Sequence, residues 1–255
     1  MDEVLYDVDG HVATLTLNRP DARNAVNPEL TTALAAAMDR FEADDGVWVG
    51  ILTGAGSGFS AGADLKALGA GRAAELSTAA GGFAGFVRYP RTKPMIAAVR
   101  GFALAGGTEL TLACDLVVAG TDVFFGLPEV TRGIVAAAGG LFRLPRALGQ
   151  ARALELILTA DRIGAEEAYR LGMVNHVVEP DAVLDRAREL ADRICRNAPL
   201  AVRESLAIAR DALLLSDEQA WERSAAAMGR VRGSEDAREG VTAFIEKRDA
   251  RWTGR

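Results

Sequence analysis

The chain has 255 residues, 49% hydrophobic and 25% charged, with a formal net charge of −6. That length suits one large domain, or a core with an appended subdomain, able to bury a substantial interior without disulfide or metal staples. The acidic balance argues against a general nucleic-acid binder while leaving room for a local basic pocket; no apolar run is long enough to span a bilayer, and the acidic start Met1-Asp2-Glu3 lacks an apolar signal region, so a soluble cytoplasmic protein is expected.

In chain order, residues 12–17 alternate like a strand and stop at Asn18-Arg19-Pro20. Residues 28–41 carry apolar side chains at helical spacing, with Asn27 placed to cap the helix and Pro28 at its first position. Residues 47–52 form a short apolar run entering the glycine turn Thr53-Gly54-Ala55-Gly56. The stretch 67–92 is rich in Ala and Gly with little periodicity, and is expected to be mobile or variable, a lid beside a pocket. Residues 95–99 and 116–119 read as strands, 108–113 as a short helix, and 123–125 as a brief strand before Pro128 opens another helix. Strand, glycine turn and helix thus recur without sharp sequence identity, which indicates an α/β core. From Ala151 onward strand signals nearly vanish: 151–158, 165–171, 182–196, 200–215, 218–228 and 234–247 all read as helices, with Ala198-Pro199 as a break. A boundary near Asn197 divides a core, 1–196, from a helical subdomain, 197–255, whose apolar faces pack on a neighbouring subunit or on their own core.

Cys114 and Cys195, the only cysteines, have no Cys-x-x-Cys partner, so neither a disulfide framework nor a metal site is indicated. His11 and His176 read as structural. Gly56 to Ala61 fits the G-x-G-x-x-A form of a dinucleotide fingerprint, but a further glycine follows in place of a helix start, and Glu75, the acid nearest the expected spacing, ends no second strand. Gly101 to Thr108 has the frame of a P-loop, but Gly107 stands where the phosphate-binding lysine belongs.

The informative region is 59–129. Phe59-Ser60-Ala61-Gly62-Ala63-Asp64-Leu65-Lys66 and Gly101-Phe102-Ala103-Leu104-Ala105-Gly106-Gly107-Thr108-Glu109 are small-residue loops, and Phe125-Gly126-Leu127-Pro128-Glu129 supplies a second acid. Small side chains let backbone N–H groups approach a ligand closely. Two such groups from separate loops can hold an oxyanion, and two carboxyls beside them can move protons and activate water. Taken singly, Glu109, Glu129 and Asp64 each read as helix-start residues. Their joint occurrence with both loops suits chemistry beside a thioester carbonyl.

These pieces, with Asn18-Arg19-Pro20, Asn24-Ala25, Gly139-Gly140, Arg143-Leu144-Pro145 and the tail Phe244-Ile245-Glu246-Lys247-Arg248, strongly resemble the crotonase superfamily, the enoyl-CoA hydratase/isomerase family, over essentially the whole chain. The resemblance implies a crotonase-like spiral of ββα repeats with a C-terminal helical subdomain, assembled as a homotrimer or a dimer of trimers. It places the thioester carbonyl of an acyl-CoA between the N–H groups of Ala63 and Gly106, Glu109 on the water and Glu129 as donor of the C2 proton. It implies hydration of a 2-enoyl-CoA to a 3-hydroxyacyl-CoA, with coenzyme A as part of the substrate and no metal or redox cofactor. It also assigns substrate and CoA contacts to Arg23, Ala61, Asp64 and Lys66, with Lys247 reaching across from a neighbouring subunit. Ala136 replaces a proline common among hydratases, a change that would reshape the acyl pocket. Ala137 stands where dienoyl-CoA isomerases carry an aspartate. The alternatives are an enoyl-CoA isomerase, a dehydratase of a special hydroxyacyl-CoA such as carnitinyl-CoA, or a non-catalytic acyl-CoA-binding homologue.

Overall fold

The computed structural model describes residues 2–255, so Met1 of the acidic start lies outside the described residues. β1 (Val4–Asp9) and β2 (Val12–Leu17) form an antiparallel hairpin, with Gly10 (φ 56°) in its two-residue loop. β1 was not expected, because most of its residues are exposed and its acids, Asp7 and Asp9, obscure the alternation. In α1 (Pro28–Ala43) the Asn27 side chain accepts the Leu30 N–H at 2.8 Å, and Leu30, Leu34, Met38 and Phe41 are buried on one face. β3 (Val49–Gly54) follows, then α2 (Leu65–Gly69), the two-residue strands β4 (Ser77–Thr78) and β5 (Gly82–Phe83), β6 (Met95–Val99) and β7 (Phe102–Leu104). Next come α3 (Gly106–Ala113), β8 (Leu116–Gly120), β9 (Phe124–Gly126), a 3-10 turn over Pro128–Arg132, α4 (Gly140–Leu148) and α5 (Gln150–Thr159). The chain continues through β10 (Arg162–Gly164), α6 (Ala165–Arg170), β11 (His176–Val178), α7 (Val183–Cys195), α8 (Pro199–Asp211), α9 (Asp217–Arg232) and α10 (Glu235–Glu246).

The large sheet runs β1-β2-β3-β6-β8-β11, parallel from β2 onward. Its inner strands are covered on both faces, which explains why 47–52 and 95–99 read as unbroken apolar runs. One face packs against α1 in the main core; the other packs Trp48, Ile51, Ile96 and Val118 against Val183, Ala187 and Ala191 of α7. A second sheet, β10-β9-β7, pairs β7 and β9 in parallel, with Leu104 opposite Gly126. The repeating unit is therefore a strand in the large sheet, a strand in the small sheet, then a helical turn: β6-β7-α3, then β8-β9 and the 3-10 turn. This is the crotonase-like α/β spiral of ββα units.

The 67–92 stretch lies beside the main cavity: short elements fold it into one wall, with Leu76, Ala84, Phe86 and Val87 buried. One expectation changes. Strands persist beyond Ala151, where β10 joins the small sheet and β11 extends the large one through His176 opposite Val118. Three-residue strands are too short for a period-two pattern to show. The break at Ala198-Pro199 does separate α7 from α8. Beyond it few side chains are buried, and Trp221 and Phe244 are 76% and 86% exposed.

Candidate active site

The topology brings the two acids together. β7 and β9 are parallel neighbours in register, so they release the chain at the same edge. Glu109 lies in the first turn of α3 after β7, and Glu129 in the 3-10 turn after β9. Thr108 locks the two turns: its buried hydroxyl lies 2.6 Å from Ala103 O and 2.9 Å from Gly126 O, and accepts the Gly126 N–H at 3.1 Å. Both carboxyls line one cavity of about 900 Å³, and they are only 3% and 7% exposed.

The two small-residue loops meet in the same cavity. Isolated bridges join Val26 to Ala63 and Ser60 to Ala103. Gly62 (φ 86°) packs so tightly that a Cβ there would fall 2.7 Å from the Gly106 nitrogen and 2.9 Å from Leu104 O. Ala63 sits between residues whose backbones pair with Val26: Val26 N–H donates to Gly62 O and Asp64 N–H to Val26 O. Neither the Ala63 nor the Gly106 N–H donates to a backbone carbonyl among the described residues, and both residues line the cavity. Gly106 opens α3, whose N-terminal partial charge favours a negative oxygen. Ala105 before it holds φ 51° and ψ −125°, a conformation that costs a non-glycine residue about 1–3 kcal/mol and that is typical of functional turns.

The acids are electrostatically distinct from surface carboxylates. Burial pushes the Glu109 carboxyl up to about 7; the Gly140 N–H, which donates to Oε1 at 2.9 Å, works against this, and the neighbouring Glu129 adds to it. Burial also raises Glu129, and its Oε2 is buried with no hydrogen-bond partner among the described residues. Burial of that kind favours the protonated form over the carboxylate, and a protonated carboxyl there faces the cavity.

Of the other residues singled out in the sequence, Arg23 and Ala61 line the cavity, with the Ala61 N–H donating to Arg23 O at 3.0 Å. Asp64 does not line it. Its side chain caps α2 by accepting the Lys66 N–H at 2.9 Å and pairs with Arg19 at 3.0 Å; burial opposes ionisation there, but these bonds hold the carboxyl below its ordinary range. Lys66 is exposed on α2, and Lys247 is exposed at the end of α10. Ala136 is buried behind the cavity wall, whereas Ala137 lines the cavity and brings no carboxylate to it. Sequence reasoning missed the Gly140 N–H on Glu109 and the remaining cavity arginines, Arg88, Arg132, Arg143 and Arg162. The Gly139-Gly140 pair was the visible signal for the first. Among the described residues no group of three or more His, Cys, Asp or Glu side chains is placed to hold a metal ion, and no helix is long and apolar enough to cross a membrane.

Comparisons with known proteins bear on the family. A family profile described as enoyl-CoA hydratase/isomerase matches residues 7–255. A carnitinyl-CoA dehydratase of Proteus mirabilis is 42% identical over 252 residues, covering 96% of each chain. Among solved structures, an enoyl-CoA hydratase from Mycobacterium tuberculosis H37Rv superposes with a TM-score of 0.96 at 46% identity, over 100% of both chains. A carnitinyl-CoA hydratase from Mycobacterium avium gives 0.77 at 43% identity, again over 100% of both. With two buried acids and two unengaged amides on successive turns of the spiral, and with likeness along its whole length, the chain belongs to the enoyl-CoA hydratase/isomerase family.

Proposed function

We propose that the protein is a hydro-lyase that adds water reversibly across the 2,3-double bond of a 2-enoyl-CoA thioester, giving a 3-hydroxyacyl-CoA. The observation that carries this reading is the pair of buried carboxyls, Glu109 and Glu129, facing one cavity with the Ala63 and Gly106 amides. The thioester oxygen accepts both amides, which stabilise the enolate that forms when C3 is attacked. Ionised Glu109 takes a proton from water as its oxygen bonds to C3, and protonated Glu129 gives its proton to C2. Proton transfer between the acids then restores the starting state, and the reverse sequence dehydrates. Neither a metal nor a redox cofactor enters these steps; coenzyme A is part of the substrate. Five arginines line the cavity against the two glutamates, which suits an anionic CoA ester in a chain whose overall charge is −6.

The pH dependence has a definite sign. The base must be ionised, so kcat falls as pH drops through about 7, the midpoint to which burial moves Glu109. A panel of 2-enoyl-CoA esters of increasing length, assayed from pH 5 to 9, tests both substrate class and profile. No turnover of any ester, or an acid limb near the ordinary glutamate value of 4.5, would overturn this reading. The 42% identity to a carnitinyl-CoA dehydratase supports a second reading, dehydration of a quaternary-ammonium hydroxyacyl-CoA by the same residues. Including carnitinyl-CoA in the panel separates the two by kcat/KM.

Residues 197–255 are proposed as the assembly region of a homotrimer or dimer of trimers, on the strength of exposed Leu213, Trp221, Phe244 and Ile245. In that assembly exposed Lys247 reaches the CoA bound to a neighbouring subunit. Sedimentation velocity is expected to give three or six chains; a monomer at assay concentration rejects the assembly. Two free cysteines accord with a reducing, cytoplasmic setting.

A further inference from the structure

Arg143 lies on α4 three residues beyond Gly140, whose N–H holds Glu109. Its guanidinium makes no ion pair with a carboxylate among the described residues. It donates instead to two carbonyls on different walls of the cavity: Nη2 to Val87 O at 2.7 Å and Nη1 to Ala138 O at 3.3 Å. Gly139, at φ 113°, sits directly against it, since a Cβ there would fall 2.3 Å from Nη1 and 3.1 Å from Cζ. On the next residue, a Cβ on Gly140 would lie 3.2 Å from Glu109 Oε1. The Gly139-Gly140 turn is therefore clasped between the arginine on one side and the reactive acid on the other.

That arrangement suits control of orientation. Glu109 accepts the Gly140 N–H at 2.9 Å, and the Ala138 N–H acts on the same carboxyl; Gly140 has no side chain through which its position could be fixed. The turn is held by what grips its neighbours: Ala138 through Nη1, Gly139 by contact with the guanidinium, and the facing wall through Val87 O. Only a planar fork can reach both carbonyls in this fixed geometry; a lysine ammonium is a point charge on a flexible stem. We propose that Arg143 is a positioning residue for Glu109: by bridging Val87 O and Ala138 O it fixes the Gly139-Gly140 turn, and through the Gly140 N–H it holds the carboxylate in its water-activating orientation. This rests on the hydratase reading for its catalytic consequence but not for its geometry. The guanidinium charge also acts on Glu109, lowering the acid's proton affinity against the larger opposing effect of burial.

The test uses the full-length protein with Arg143→Gln and Arg143→Lys, read in two ways. Carbon-13 NMR of protein labelled at the glutamate carboxyl, with Glu109 assigned through Glu109→Gln, follows its titration without any need for turnover. In R143Q the Glu109 midpoint is expected to rise above that of the wild type, while in R143K, which keeps a cation, it moves less. In turnover, R143Q is expected to lose about 10–100-fold in kcat, the range for removing a residue that orients a reactive ligand from behind, with KM for the CoA ester within about twofold. R143K is expected to recover the midpoint better than the rate, because it restores charge but not the fork; it also serves as the folded comparison if R143Q is poorly stable. An unchanged Glu109 midpoint in both variants overturns the proposal. So does a rate loss that appears wholly in KM, which would mark Arg143 as a substrate contact. If the wild type turns over no ester while the midpoint still moves, the coupling of Arg143 to Glu109 stands and the hydratase reading falls.

Discussion

Glu109→Gln is expected to lower kcat for hydration of a short 2-enoyl-CoA by about 10²–10⁴-fold, the usual contribution of a positioned general base, while the ester still binds. The amide is isosteric, and its oxygen can still accept the Gly140 N–H that holds Oε1 at 2.9 Å, so the site keeps its shape and loses only its base. The same substitution carries a second, opposite signature. In the folded chain the carboxyl titrates near 7, against 4.5 for an ordinary glutamate. Because the folded-state value is the higher one, the stability this group contributes is complete below about 4.5 and is lost as pH rises through about 7. Gln has no such loss. At pH 8 the variant should therefore be more stable, by on the order of 3 kcal/mol, since each unit is worth about 1.4 kcal/mol. That corresponds to several degrees in Tm for a chain of this size, and near pH 4 the two proteins should melt together. Steady-state kinetics and calorimetry at both pH values check the pair of effects. Retained activity would remove Glu109 from the reaction, and equal Tm at pH 8 would show that no buried charge is held there.

Gly62→Ala is expected to cost about 10²–10³ in kcat, the effect of losing one oxyanion donor. The residue holds φ 86°, which an L side chain rarely adopts, and its Cβ would meet the Gly106 nitrogen at 2.7 Å and Leu104 O at 2.9 Å. These are backbone atoms, with no flexible end to swing aside. Relief comes only by separating the loop that carries Ala63 from the one that carries Gly106, and the amides then no longer converge on one oxygen. Circular dichroism should show the fold intact while kcat falls; full activity in a folded variant would mean that the thioester oxygen binds elsewhere.

Much of the site was visible before any coordinates. The caps and starts announced themselves locally: Asn27-Pro28 opens α1, Pro128 opens the turn that carries Glu129, and Ala198-Pro199 ends the run into α8. The long, strongly periodic helices were readable for the same reason. Other elements depend on distant partners. β7 has three residues and exists because β9 pairs with it; β10 exists because it pairs with β9 in turn. α4 hid behind Pro145 in its interior and Gly139-Gly140 at its start, features that ordinarily end helices. Within the candidate site, the small-residue loops and the two acids stood out by composition. Their supports did not: Gly140 meets Glu109 across 31 positions, and Arg143 meets Val87 across 56. Neither spacing follows any local period.

The in-register pairing of Leu104 with Gly126 has an evolutionary consequence. Each buried acid hangs from its own coil of the spiral at a set offset from a shared edge, so exchanging one for a neutral residue alters the proton inventory and leaves the scaffold untouched. Insertions are another matter, because one added residue between Gly126 and Glu129 would turn that side chain off the common wall. Such an architecture should diversify by swapping letters at constant length, which is how a single framework can host hydration, dehydration and double-bond migration.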